Sequence, residues 1–283
     1  MRNLQYEIQK AIKNKFFIIA CIIGAMLAII HVCFAVSDYN DNMQTFIGAE
    51  NKVGMQQNLF LPLFSPFTYW LCGSQQNNIS KIIFMTIPFL AVIPYSWSLS
   101  NNIKKNIVNR QIKVSSLWKA NFIATFISSG LVIAVTLIMN FLVMLMFIPT
   151  YNPDSAYDIY FRMFSNTFMG NLFYKFPYLS VVFFILLNFI FGGLIGCLGN
   201  AVATLFNKPI MALITPAIIL YAVEFGKKYL VKDEEIEISP LSILNSYETT
   251  NNCFKIMFIE FIIMFLLSYV ISGVMCEKRI KEY

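Results

Sequence analysis

Of the 283 residues, 58% are hydrophobic and 13% charged, and the mean hydropathy is +0.64. An ordinary soluble domain is about 45 to 50% apolar and about 25% charged, so this composition excludes a water-soluble fold and predicts an all-α membrane protein. The net charge of +6 sits in short basic clusters beside apolar runs rather than along one polar face, which speaks for orientation in a bilayer and against nucleic acid as a partner.

Taken in chain order, residues 1–15 place Leu4, Ile8 and Ile12 one turn apart among Arg2, Lys10, Lys13 and Lys15. That is the pattern of a basic amphipathic helix lying on a membrane surface. Residues 16–36 carry no formal charge and are long enough for about 30 Å of helix, the first span. A cleaved signal peptide is the rival reading at Ala35-Val36-Ser37, but the apolar run exceeds the usual 7 to about 15 residues. Residues 59–72, LFLPLFSPFTYWLC, are aromatic but short, with Pro62 and Pro66 inside, and are expected at the interface rather than across it.

Further spans are predicted at 82–99, 121–148, 177–198, 209–223 and 254–275, giving six in one transmembrane domain of residues 1–283. The fifth, holding Pro209 and Pro216, is short and is expected to be kinked or to continue past Glu224. Residues 157–168 place Tyr157, Phe161, Phe164 and Phe168 on one helical stripe. With both termini on the cytoplasmic side of the cell membrane, thirteen of the 21 basic residues fall on inner segments, as the positive-inside rule expects.

Catalytic motifs are missing. No G-x-x-x-x-G-K-[ST] phosphate loop occurs, and the single histidine, His31, excludes two-histidine metal sites within the chain. The expectation is therefore a non-enzymatic protein with no cofactor of its own. The six cysteines are scattered without C-x-x-C spacing. His31, near the outer end of the first span, is expected to hydrogen-bond a neighbour or interfacial water, with a functional proton site as the alternative. Glu260, about 9 Å inside the last span, lies among Ile256, Met257, Ile263 and Met264; a carboxylate there must face another helix, a wet cavity or a second subunit, or be protonated. Asn140 and Asn188 are weaker pathway candidates, with helix-to-helix hydrogen bonding as the alternative. Gly192 and Gly196 have small-xxx-small spacing that admits a close helix neighbour.

Between the second and third spans, residues 101–119 set Ile103 and Ile107 four apart, with Lys104, Arg110 and Lys113 around them, a shape suited to docking. The string IKKNIVNRQIKVSSLWKANFI, the stretch GNAVATLFNKPIMALITPAIIL after the fourth span and SPLSIL before the sixth together resemble the membrane subunits of ABC-2-type exporters. That resemblance implies a permease paired with a second copy or a related subunit. It would dock through Ile103, Lys104, Ile107, Arg110 and Lys113 on a separate ATPase that binds ATP and magnesium. Amphipathic peptides are the expected cargo. An ion-coupled secondary transporter and a non-catalytic membrane scaffold are the alternatives.

Overall fold

A computed structural model describes residues 2–53, 61–73, 78–94, 114–157, 169–206, 208–230, 239–244 and 254–281. Helices α1 (Arg2–Ile12), α2 (Lys15–Val53), α3 (Pro66–Tyr69), α4 (Asn78–Met85) and α5 (Ile87–Val92) make up the first part of the chain. They are followed by α6 (Val114–Phe147), α7 (Gly170–Lys175), α8 (Pro177–Phe206), α9 (Pro209–Leu230), α10 (Pro240–Ile243) and α11 (Phe254–Lys281). No strand occurs among the described residues. Five helices are long and apolar enough to cross a membrane, covering Lys15–Gly48, Trp118–Phe147, Pro177–Phe206, Pro209–Gly226 and Lys255–Val274.

The second expected span, 82–99, is a broken element in its described part. Ile79–Val92 is apolar but shorter than a crossing requires. Pro88 has no N–H, and the Phe89 N–H bonds Thr86 O at 3.1 Å instead of continuing the helix to Met85 O. The Met85 carbonyl so released accepts a bond from the Tyr221 hydroxyl of α9. The fifth span does run past Glu224, to Leu230, with Pro216 inside it. Pro216 cannot donate to Ala212 O, and that carbonyl lies against Gly199 of α8, 3.3 Å from where a Cβ would stand.

Neighbouring pairs give the topology. Thr136 meets Gly24, and Asn140 meets Ala28, so α2 and α6 run parallel. In contrast, Gly130 meets Phe189, Ser129 meets Gly196 and Phe122 meets Cys197, so α6 and α8 are antiparallel. Trp118 packs edge-on to Tyr269, and Phe122 to Phe265, which sets α11 antiparallel to α6. α1 packs along α6, burying Glu7 and Ala11, while Leu4, Ile8 and Ile12 are only half-buried. Asn14 closes the first turn of α2, its Oδ1 accepting from Phe16 N–H, and its Nδ2 donates to Pro94 O at 3.1 Å. The start of α2 is thereby tied to the end of the α4–α5 element.

α8 is the centre of this bundle. Every residue from Phe191 to Ala203 is buried, the signature of a helix surrounded on all sides. It reaches that position because its glycines carry no side chain where neighbours arrive. A Cβ on Gly193 would lie 2.8 Å from Phe126 O, and one on Gly192 would lie 2.8 Å from Ile133 Cγ1. Gly130 on α6 answers from the other side, 2.6 Å from Phe189 O. By contrast α2, α9 and α11 present Ile22, Met26, Ile218, Phe225, Ile263 and Leu267 outward, the faces a lipid tail would cover.

Gly193→Leu should therefore force α6 and α8 apart, at a cost of about 1–3 kcal/mol for overpacking, read as reduced resistance to denaturation in mild detergent. Gly48→Ala, where nothing lies within 4 Å, should leave that resistance unchanged.

Candidate functional site

Inside the bundle the described part of α6 carries a polar seam of Thr125, Ser128, Ser129, Thr136 and Asn140, all buried. Polar groups in such surroundings cost free energy unless partnered. Thr125, Ser128 and Thr136 bond carbonyls of their own helix. Asn140 instead reaches two other segments, α2 and the loop after α3.

The Asn140 amide has a fixed orientation, because the Leu71 backbone N–H can only donate and stands 2.9 Å from Oδ1. Nδ2 is then the donor to Ala28 O at 3.1 Å and to His31 Nδ1 at 3.0 Å. An Nδ1 that accepts leaves the imidazole proton on Nε2, which donates to Ser80 Oγ at 3.0 Å. The ring is thus the neutral Nε2–H tautomer. His31, Ser80 and Asn140 are all nearly sealed from solvent. The result is a continuous chain of hydrogen bonds from α4 through α2 and α6 to the loop that follows α3.

A second knot forms near the middle of α8. Asn188 Nδ2 donates to Phe184 O at 2.9 Å and to Leu244 O at 3.0 Å, with Cys72 Sγ at 3.7 Å. Its Oδ1 is buried and finds no donor among the described residues. Asn188 lies eleven residues from Pro177, about 16 Å along α8. Two short segments therefore penetrate to mid-span, one ending at Cys72 and the other being 239–244 with α10.

This corrects the interfacial expectation for the 65–72 part of the 59–72 stretch. Phe67, Trp70, Leu71 and Cys72 are among the most buried side chains, and Leu241 and Leu244 join them in the same core. Trp70 stacks edge-on to Phe141 with ring centroids 5.5 Å apart. Irregular backbone at that depth is tolerated only where protein surrounds it. The sequence concealed this because a fourteen-residue, largely apolar stretch broken by prolines suits an interface and a buried segment equally well. Its backbone partner, Asn140, lies 69 positions away.

Glu260 lies on the face of α11 turned toward α8, between Met257, Phe261 and Met264, and both its carboxylate oxygens are sealed from solvent. Glu7 is a second buried carboxylate, with Lys10 Nζ at 3.6 Å; no feature of the sequence pattern singled it out. Ile103, Lys104, Ile107, Arg110 and Lys113 lie outside the described residues, as does the 157–168 stripe beyond Tyr157. No group of His, Cys, Asp and Glu that could hold a metal ion occurs among the described residues.

The fold and this interior define an all-helical, multi-pass membrane protein. No protein-family model matches the sequence, and nothing matches it among curated proteins or solved structures.

Asn140→Ala would leave the buried Leu71 N–H without its acceptor and His31 Nδ1 without its donor, each orphan costing about 1–3 kcal/mol. A double-mutant cycle of Asn140→Ala with His31→Phe should show a coupling of about 0.5–2 kcal/mol in reversible unfolding in detergent micelles.

Proposed function

We propose that this chain is the membrane subunit of an ATP-driven exporter, working with a separate ATPase and with a second copy or a related permease. The observation that carries the reading is the polar seam along α6, with the two asparagine knots, inside an otherwise apolar bundle. Polar side chains at membrane depth are costly, and they either join helices or line a transport route. With no phosphate loop in the sequence, the energy must come from a partner that binds ATP and magnesium or from an ion gradient, and we assign it to the partner. The basic segment with Ile103, Lys104, Ile107, Arg110 and Lys113 is the docking element, which places both termini in the cytoplasm under the positive-inside rule.

Amphipathic peptides suit the aromatic group at the opposite end of the bundle. There Tyr39 and Phe46 of α2 meet Phe64 and Tyr69, with Asn42 Nδ2 donating to the Tyr69 hydroxyl at 3.1 Å. One observation favours the ion-coupled alternative: the sealed carboxylate of Glu260, a group that could carry a proton or bind a cation.

Purification of the tagged chain from native membranes tests the reading. An ATPase should co-purify in constant ratio, and the double substitution Ile107→Asp with Arg110→Glu should reduce its recovery at least tenfold without lowering the amount of inserted chain. An inserted chain that never retains an ATPase, together with transport that persists without ATP, would instead establish the ion-coupled mechanism, and Glu260→Gln should then abolish it.

A further inference from the structure

We infer that residues 65–73 form a movable plug, latched shut by the Asn140–His31–Ser80 chain, whose withdrawal opens the bundle at mid-span. The segment is built to travel as a unit. Its polar backbone groups are satisfied mostly from within: Thr68 and Tyr69 N–H bond Ser65 O, Trp70 N–H bonds Pro66 O, and Gly73 N–H bonds Trp70 O. Thr68 Oγ1 adds bonds to Leu63 O and Ser65 O, each 2.8 Å long. Trp70 folds onto Gly73, where a Cβ would come within 2.6 Å of the indole. At the segment's backbone the Leu71 N–H bonds a distant helix, at Asn140 Oδ1, and two of its side chains meet other helices, the Tyr69 hydroxyl accepting from Asn42 Nδ2 and Cys72 Sγ lying 3.7 Å from Asn188 Nδ2.

The closed seat also holds polar atoms that water would relieve. Ser65 Oγ, on the plug itself, and Asn188 Oδ1, on the helix beside Cys72, are both buried without a hydrogen-bond partner among the described residues. Each raises the free energy of the closed state relative to a hydrated one. The aromatic anchors Phe67 and Trp70 oppose this by burying apolar area. A segment held by burial, relieved by water and latched at its backbone by the Asn140 amide has two discrete positions. Asn140 sets the balance between them. That the opening gates a transport route rests on the proposed function; that the plug opens locally does not.

Two natural cysteines test the plug in the full-length protein. Cys72, at its end, and Cys197, between α6 and α8 with Sγ 3.5 Å from Phe122 O, are both fully buried. In membranes treated with N-ethylmaleimide, mass spectrometry follows the thioether formed at each site in one sample. Asn140→Ala should speed modification of Cys72 at least tenfold and leave Cys197 unchanged, since only the plug is released. Equal acceleration at both sites means global loosening, and no acceleration at Cys72 means no latch; either result overturns the plug. Should Asn140→Ala fail to insert, Ser65→Ala decides: removing the orphan hydroxyl should slow Cys72 modification about threefold, and an unchanged or faster rate refutes the inference. Loss of the ATPase partner would defeat the transport reading while leaving these rates as they are.

Discussion

The Leu71 N–H in the protein interior has no water to bond. Its acceptor is one oxygen on Asn140, and that requirement orients the whole amide. With the oxygen committed, the nitrogen must face Ala28 O and His31, the imidazole must carry its proton on Nε2, and Ser80 must receive it. Four segments distant in sequence are positioned by one amide plane. An aspartate has no N–H and a leucine has neither group, so neither meets all of these demands at once.

Around this amide the bundle is organised by shape rather than by charge. α8 can be central because glycine backbones replace side chains along its seam with α6, and because Pro216 turns an unused carbonyl toward Gly199. The α4–α5 element breaks at Thr86 and Pro88, and a tyrosine hydroxyl from α9 repairs the exposed carbonyl. Each irregularity has a partner on a neighbouring helix. That is the condition under which a bilayer tolerates irregular backbone.

Much of this was legible in the composition. Five long apolar runs, the close approach at Gly192 and Gly196, and the continuation of the fifth span beyond Glu224 follow from length, spacing and propensity. Asn140 and Asn188 stood out because an amide in an apolar run needs a partner, but the identity of the partner is a property of the folded chain. The same gap concealed the burial of residues 65–73. Local pattern measures how apolar a segment is, while its depth depends on whether a distant side chain satisfies its backbone. Glu7 escaped for the complementary reason: a glutamate in an amphipathic basic helix reads as solvated until α6 is seen to cover it.

The length of α2 has a mechanical consequence. Its 39 residues extend about 58 Å, whereas the hydrocarbon layer is about 30 Å thick, so one end stands well clear of the lipid as a rigid arm. The other end is pinned, through Asn14, to Pro94. Length multiplies rotation into displacement: a tilt of about 10° about the foot would carry the tip of a helix this long about 10 Å. Tyr39 and Phe46 ride on that arm against Phe64 and Tyr69, so a small angular change at the basic end would be felt at the far end as a separation of aromatic surfaces.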